Sequence, residues 1–516
     1  MQERKIKKFP MENNLYQYIE KNALRSPNHI AINYQNNQLT YSAFLKNIDL
    51  FVDYFSYNLK LKKGDRIAIL VYNRMEFLSL FYACAKLGII LVPINWRLTS
   101  FEIIHILENV GAKYLFSDSE FTETLKILKT KLSKFNIIDL DFIKFTKTIK
   151  YKKRCIKNYT LPLLIVYTSG TTGKPKGAVL SQKAIYYNIL NSINMHKFNK
   201  RDHILTVIPL FHVGGLNIQT IPALHKGAKV TIQKKFEINE VFKELKKGIH
   251  THTVFVPTIL QLLLKSKNWD AKFFSSLKAI TTGSTIVSSE LIKAYEDNKI
   301  PIIQVYGSTE TAPIAICQKI SEDRNPYGNI GKIARYNKAK IFNKDYKETP
   351  INIIGEIGIK GLNLFSHYWK DKHQSDQAFK NGWFMTGDFG KKDNKNKFYV
   401  IGRKENIIIS GGENIYPAEI EKILNKENNI IESAVIGIPD KKWQEIPVAF
   451  IKTSNKSKFN LLKCKSNITK KLASYKIPKK IFYIKELPKN ALGKIDYKLL
   501  KEYYSTLNIN NKMREK

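Results

Sequence analysis

Short apolar runs alternate with helical patterns along most of this 516-residue chain. The run RIAILV (66–71) has the unbroken apolar character of a strand buried on both faces. Met75–Leu87 follows as a largely apolar helix stopped by Gly88, and Ile89–Pro93 begins the next strand. The alternation recurs at His203–Ile208, at Thr253–Val256 before a helix opened by Pro257, at Leu277–Thr282 and at Pro301–Tyr306. Such alternation predicts an α/β fold of layered sheets. In open sheets of this kind, ligands gather beyond the carboxyl ends of the strands. Several of these runs end in polar or glycine-rich turns, which predicts one shared cleft.

The texture changes from about Gly355 to shorter strands and turns. After Arg403 the chain gives Ile407–Ser410, a Gly-Gly turn and a helix opened by Pro417. Glu419 and Glu421 stand near the positive end of that helix dipole, and Ile420, Ile423 and Leu424 form its apolar face. A domain boundary is therefore expected near Arg403, since 516 residues exceed one core. The polar tail from Thr506 is expected to fray.

Composition narrows the function classes. The formal charge of +41 invites a nucleic-acid reading. The excess is almost all lysine, however, spread along the whole chain, whereas arginine is the better reader of bases and phosphates. Anionic small ligands are favoured instead. Cys84, Cys155, Cys317 and Cys464 are isolated and show no metal spacing, as expected of reduced thiols. Neither a membrane-length apolar run nor a secretory signal after the basic start is evident, so a cytoplasmic location is expected.

The stretch YTSGTTGKPKG (167–177) follows the apolar run LLIVY (163–167) directly. Glycines Gly170 and Gly173 let backbone N–H groups turn toward an anion. Thr168, Ser169, Thr171 and Thr172 add hydroxyls, and Lys174 and Lys176 add charge. A Walker A loop is excluded: only two residues separate the glycines, and Pro175 stands where the metal-binding hydroxyl belongs. Proline also biases Lys174 toward extended backbone, so no helix should follow at once. The loop is expected to grip a polyphosphate in another manner.

Three later motifs carry compatible chemistry. In YGSTE (306–310), Gly307 permits a tight turn, Thr309 offers a hydroxyl and Glu310 a hard oxygen ligand for Mg²⁺. A strand-terminal Gly-Ser-Thr-Glu taken alone is more often a helix cap. NGWFMTGD (381–388) ends in Asp388, a carboxylate suited to ribose hydroxyls, and Gly402-Arg403 could add a second contact. PKNALGK (488–494) gives one lysine, Lys494, in a chain full of them.

In this order, YTSGTTGKPKG, YGSTE, TGD, GRKENIIISGGENIYPAEIE (402–421) and PKNALGK closely resemble the adenylate-forming superfamily of acyl-CoA synthetases, luciferases and peptide-synthetase adenylation domains. VPINWRL (92–98), PLFHV (209–213) and IGIPD (436–440) agree with it. The resemblance implies a large N-terminal domain of layered α/β sheets over residues 1–402, a hinge at 403–406, and a small mobile α+β domain over 407–516. It assigns residues 168–177 to the ATP phosphates, Gly283 and Ser284 to the adenine-flanking loop, and Tyr306 to stacking on adenine. Thr309 would reach the α-phosphate, Glu310 would bind Mg²⁺, and Asp388 and Arg403 would hold the ribose. Lys494 would bridge the acyl carboxylate and the α-phosphate. The loop with Gly411 and Gly412 would enter for the coenzyme A step, and Glu405 stands where the family hinge usually has Asp or Lys.

The implied activity is activation of a carboxylic acid as an acyl-adenylate, then transfer to coenzyme A. His212 matches a position lining or gating the acyl pocket, and Ile314, Ala315 and Ile316 suggest an apolar acyl group. VPINWRL, NGWF and SGGENIYPAEIE look most like medium- and long-chain fatty acyl-CoA synthetases. An aromatic acid, as in 4-coumarate-type or o-succinylbenzoate-type ligases, is the alternative.

Overall fold

A computed structural model describes residues 14–132, 135–143, 155–156, 158–168, 175–284, 287–320, 328–410, 413–440, 443–454, 461–469, 472, 476–490 and 493–514. The chain divides into two compact units. Met1–Ala339 with Ile359–Phe384 form the first, and Lys340–Gly358 with Met385–Lys516 the second. The α/β class expected from the alternating pattern holds.

The first unit contains two large sheets. One has six strands in the order Asn136–Asp139, Tyr114–Ser117, Arg66–Leu70, Ile90–Pro93, Pro162–Thr168 and Lys176–Ser181. Its strands are parallel except the last, which returns antiparallel to Pro162–Thr168. The other has nine strands, with Ile302–Tyr306, Ala279–Gly283, His252–Val254, His203–Thr206, Lys229–Ile232 and Ile30–Tyr34 as its parallel centre. Continuous apolar runs on these strands are explained by burial on both faces. Ile204, Leu205, Ile280 and Ile303 are all essentially inaccessible.

Met75–Leu87 is helical as its pattern predicts, closed by Gly88 in the left-handed conformation at φ 67°. Every residue from Phe77 to Leu87 is buried, which accounts for a helix apolar on all sides. Lys86 is the exception in character. Its ammonium pairs with Asp49 at 2.9 Å and lies 3.9 Å from the Tyr16 ring centroid.

In the second unit, Ile430–Asp440 and Gln444–Thr453 form a long antiparallel pair that also carries Ile408–Ser410 and Lys480–Tyr483. The helix Pro417–Leu424 places Ile420 and Leu424 in a core with Ile408, Ile415, Val435 and Ile451. The terminal helix runs Tyr497–Arg514, so the polar tail expected to fray from Thr506 continues as helix. The contact division also falls earlier than Arg403. Asp388–Lys392 pair in an antiparallel ladder with Phe398–Arg403, and these hydrogen bonds group both stretches with the C-terminal residues.

All four cysteines are free thiols. Among the described residues no helix is long and apolar enough to cross a membrane.

Three buried histidines lie in or beside the nine-stranded sheet: His203 and His252 on its strands, and His196 at the end of the helix Gln182–His196. His196 Nε2 lies 2.7 Å from Thr281 Oγ1, which Gln219 Nε2 also reaches at 3.0 Å, and the His196 ring meets His252 edge-on at 5.8 Å. His203 Nε2 lies 2.7 Å from Thr231 Oγ1. Burial, reinforced by His252, pulls His196 down to about 3. Burial and His250 pull His203 to about 3, and burial takes His252 to about 4 against the upward pull of Asp202. The unfolded chain binds protons at these sites near pH 6.5 and the folded chain does not, so stability rises with pH across that window. Lowering the pH from 6.5 toward 4 is expected to cost up to about 1.4 kcal/mol per pH unit for each histidine. Urea unfolding midpoints measured at pH 7 and pH 5 check this. An unchanged midpoint would mean the histidines are not held neutral.

Candidate active site

The strands that flank the run expected to hold phosphate pair as an antiparallel hairpin. Thr168 pairs with Lys176 and Tyr167 with Gly177, so a strand follows the loop, in contrast to the strand-to-helix turn of a P-loop. Ser169, Gly170, Thr171, Thr172, Gly173 and Lys174 lie outside the described residues. At the base, Tyr167 Oη donates to Asn109 Oδ1 at 2.5 Å, and Lys176 Nζ donates to Gln374 Oε1 at 2.6 Å.

The strands Ala279–Gly283 and Ile302–Tyr306 are parallel neighbours, with Gly283 beside Val305. Their carboxyl ends thus set Gly283 and Ser284 next to Tyr306. A Cβ on Gly283 would strike the Val305 carbonyl, and one on Gly307 would strike that of Pro313, so close backbone packing demands both glycines. Ser284 takes a left-handed φ of 72°. The following turn, Thr309–Thr311, is a single 3₁₀ turn in which Thr311 Oγ1 accepts the Ser308 N–H at 2.9 Å and donates to the Ser308 carbonyl at 3.1 Å. Behind it, amides of Asn191, Asn337 and Asn363 all donate to the Ile314 carbonyl, at 3.3, 3.3 and 2.9 Å. Ile314, Ala315 and Ile316 are fully buried, and Ile314 packs in the main core.

Glu310 is 9% exposed, and its Oε1 accepts from Tyr368 Oη at 2.8 Å. Among the described residues it has a neutral phenol for a partner and no ion pair. A hard, nearly buried carboxylate oxygen without a protein cation fits one ligand of a divalent ion, with substrate phosphates and waters as the others. No group of three or more potential metal-ligating side chains occurs among the described residues.

One segment ties the phosphate hairpin to Glu310. The Phe365 N–H donates to the Glu310 carbonyl at 2.7 Å, the Val179 N–H to the His367 carbonyl at 3.0 Å, and the Trp369 N–H to the Gly177 carbonyl at 2.7 Å. Lys176 Nζ also lies 5.7 Å from the Tyr368 ring centroid. Elsewhere in this unit the WRL and LFH motifs meet: Trp96 packs edge-on to Phe211 at 6.2 Å, Arg97 lies over Trp96 at 4.5 Å, and Phe211 touches His212 at 4.3 Å. His212 caps a helical stretch that continues as a π-helix over Leu216–Thr220.

In the second unit, Asp388 and Arg403 stand opposite one another in the ladder, with Oδ1 and Nε 2.7 Å apart. Arg403 also donates to the Thr386 carbonyl at 3.2 Å. Glu356 accepts the Gly387 N–H at 3.1 Å and pairs with Lys404 at 3.2 Å, fixing the turn that carries Asp388. Lys494 is within electrostatic reach of this pair. Burial and the Arg403 guanidinium hold its ammonium below the usual lysine range, and Asp388 pulls it back up. Glu405 is exposed on the 3₁₀ turn Lys404–Asn406. Gly411 and Gly412 lie outside the described residues.

Tyr368, Gln374, Glu356 and Lys404 were not legible as site residues. Each acts across about 50 to 200 positions of chain, and none sits in a motif of its own.

The chain matches the AMP-binding enzyme family over residues 19–369 and the AMP-binding enzyme C-terminal domain over residues 419–494. It belongs to that family, the adenylate-forming enzymes. It is 36% identical over 491 residues to an indoleacetate–CoA ligase of Aromatoleum aromaticum, covering 93% of this chain and 96% of that one. A feruloyl-CoA synthase of an Amycolatopsis species is 29% identical over 480 residues, covering 92% and 95%. The solved o-succinylbenzoate coenzyme A synthetase of Bacillus subtilis, in complex with ATP and a magnesium ion, superimposes with a TM-score of 0.84 at 28% identity, covering 94% and 98%. The protein is an ATP-dependent acid–thiol ligase.

If Tyr368 orients Glu310, Tyr368→Phe should lower pyrophosphate release about fivefold, the worth of one hydrogen bond, and raise the Mg²⁺ needed for half-maximal rate. Unchanged rate and Mg²⁺ dependence would show that Glu310 needs no such support.

Proposed function

We propose that the protein is an aromatic-acid CoA ligase. The observation that carries this is the 36% identity with an indoleacetate–CoA ligase across nearly both whole chains. Relatives named for ferulate and o-succinylbenzoate support the same substrate class. The fatty-acid reading suggested by VPINWRL, NGWF and SGGENIYPAEIE finds no such support and gives way to the aromatic alternative.

In the proposed reaction, a carboxylate oxygen attacks the ATP α-phosphorus, the bond to pyrophosphate breaks, and an acyl-adenylate forms. The coenzyme A thiolate then attacks the acyl carbon, the bond to AMP breaks, and the thioester is released. Both reactants of the first step are anions, so repulsion must be screened before any bond forms. We assign that task to Lys494 at the reacting oxygens, and to Thr168–Gly177 at the leaving pyrophosphate. Mg²⁺ bound at Glu310 would neutralise phosphate charge. Thr309 would donate to the α-phosphate, Tyr306, Gly283 and Ser284 would bracket the adenine, and Asp388 with Arg403 would hold the ribose. His212 would border the acyl group.

Release of pyrophosphate with a panel of acids tests the substrate class. Indoleacetate, ferulate or o-succinylbenzoate should exceed octanoate and palmitate in kcat/KM by about tenfold or more. Preference for a fatty acid would overturn the proposal.

Lys494→Ala should lose about a hundredfold or more in pyrophosphate release yet still form thioester from supplied acyl-adenylate. Normal pyrophosphate release by this variant would remove the lysine from its role. Placing the hinge at Glu405 predicts that Glu405→Pro, by fixing φ, spares adenylation and impairs thioester formation. Equal loss of both half-reactions would count against two alternating conformations.

A further inference from the structure

The second unit holds a carboxylate that the proposed chemistry does not use. Glu421 lies on the helix Pro417–Leu424, and its Oε1 accepts from two donors, the Val435 N–H at 2.8 Å and Tyr497 Oη at 2.9 Å. Val435 belongs to the strand Ile430–Asp440, and Tyr497 opens the terminal helix. One oxygen thus joins three elements. Burial pushes this carboxyl up to about 7, with Glu432 adding to the rise while the two donors oppose it. Retaining a partly buried acid at such a position is costly when an apolar residue would pack, so the contact needs an explanation beyond core filling.

What lies next to Tyr497 supplies one. Lys494 is three residues upstream, in a hairpin closed by short-range bonds. The Asn490 N–H donates to the Lys494 carbonyl at 2.8 Å, the Lys494 N–H to Asn490 Oδ1 at 3.1 Å, and the Asp496 N–H to the Pro488 carbonyl at 2.8 Å. Asp496 Oδ1 then accepts the Lys498 and Leu499 N–H groups at 3.1 Å each, fusing the hairpin to the helix start. These bonds join the flanks of the hairpin to each other but do not fix its direction. Lys489 adds an ion pair to Glu432 at 3.0 Å, and Tyr497 adds the bond to Glu421.

We propose that Glu421, through Tyr497, is a positioning residue that aims the Lys494 hairpin for the adenylation step. The inference rests on the assignment of Lys494 made above. A lysine on a long flexible stem reaches its target reliably only if its backbone is held. Errors near 1 Å at a reacting centre cost about a hundredfold in rate.

The two half-reactions separate positioning from stability. Tyr497→Phe and Glu421→Ala should each lower pyrophosphate release about fivefold to tenfold, and each should leave thioester formation from supplied acyl-adenylate within about twofold. Glu421→Gln keeps an acceptor oxygen and should restore most of the lost adenylation. The double variant Glu421→Ala/Tyr497→Phe should be no slower than the worse single one, since both remove the same contact. Parallel loss of both half-reactions would reduce the pair to a fold-stabilising contact. No loss in Tyr497→Phe, alongside an adenylation-dead Lys494→Ala, would overturn the proposal while keeping the lysine's role. An active Lys494→Ala would instead remove the premise.

Discussion

In the first unit, the spacing between the Gly177 hairpin and the Glu310 turn depends on the backbone run Phe365–Trp369. Its amides and carbonyls bond to Gly177 and Val179 on one side and to Glu310 on the other. The phosphate hairpin belongs to the six-stranded sheet and the Glu310 turn follows the nine-stranded one. The strap thus bonds the edge of one sheet to the turn that follows the other. Main-chain hydrogen bonds are suited to this, since they depend on no side-chain rotamer and lose little when buried in pairs. The strap also carries Tyr368 to the Glu310 carboxylate, so spacing and orientation come from the same five residues.

Polar groups are handled differently in the two places where they are deeply buried. Around Ile314, amides of three asparagines converge on one carbonyl, which holds the turn after Glu310 without introducing charge. At the nine-stranded sheet, His196, His203 and His252 are kept neutral by burial, and threonine hydroxyls lie 2.7 Å from His196 and His203. The formal charge of +41 therefore says little about the interior. Lys86 is a buried lysine, and it is paired with Asp49.

Local signals carried the fold. The helix Met75–Leu87 and its Gly88 stop, the strand entering the phosphate loop, and the Pro417 helix start all depend on neighbours within a few residues, where period and capping chemistry decide. The motif order likewise led to the adenylate-forming family. What escaped was long-range. Tyr368 on Glu310, Glu356 on Gly387 and Tyr497 on Glu421 are contacts between residues 31 to 76 positions apart with no spacing rule to reveal them. The helix continues past Thr506, and Leu500, Tyr504 and Leu507 on it pack in the core of the second unit. VPINWRL and SGGENIYPAEIE did not separate aryl from alkyl ligases, and the relatives named for indoleacetate, ferulate and o-succinylbenzoate favour the aromatic alternative.

Lys494 sits where burial and Arg403 both disfavour its ammonium form. On the role proposed for Lys494, a carboxylate and a phosphate arriving beside it would favour the ammonium form, as Asp388 already does. Anion binding and protonation of this amine would then be linked equilibria.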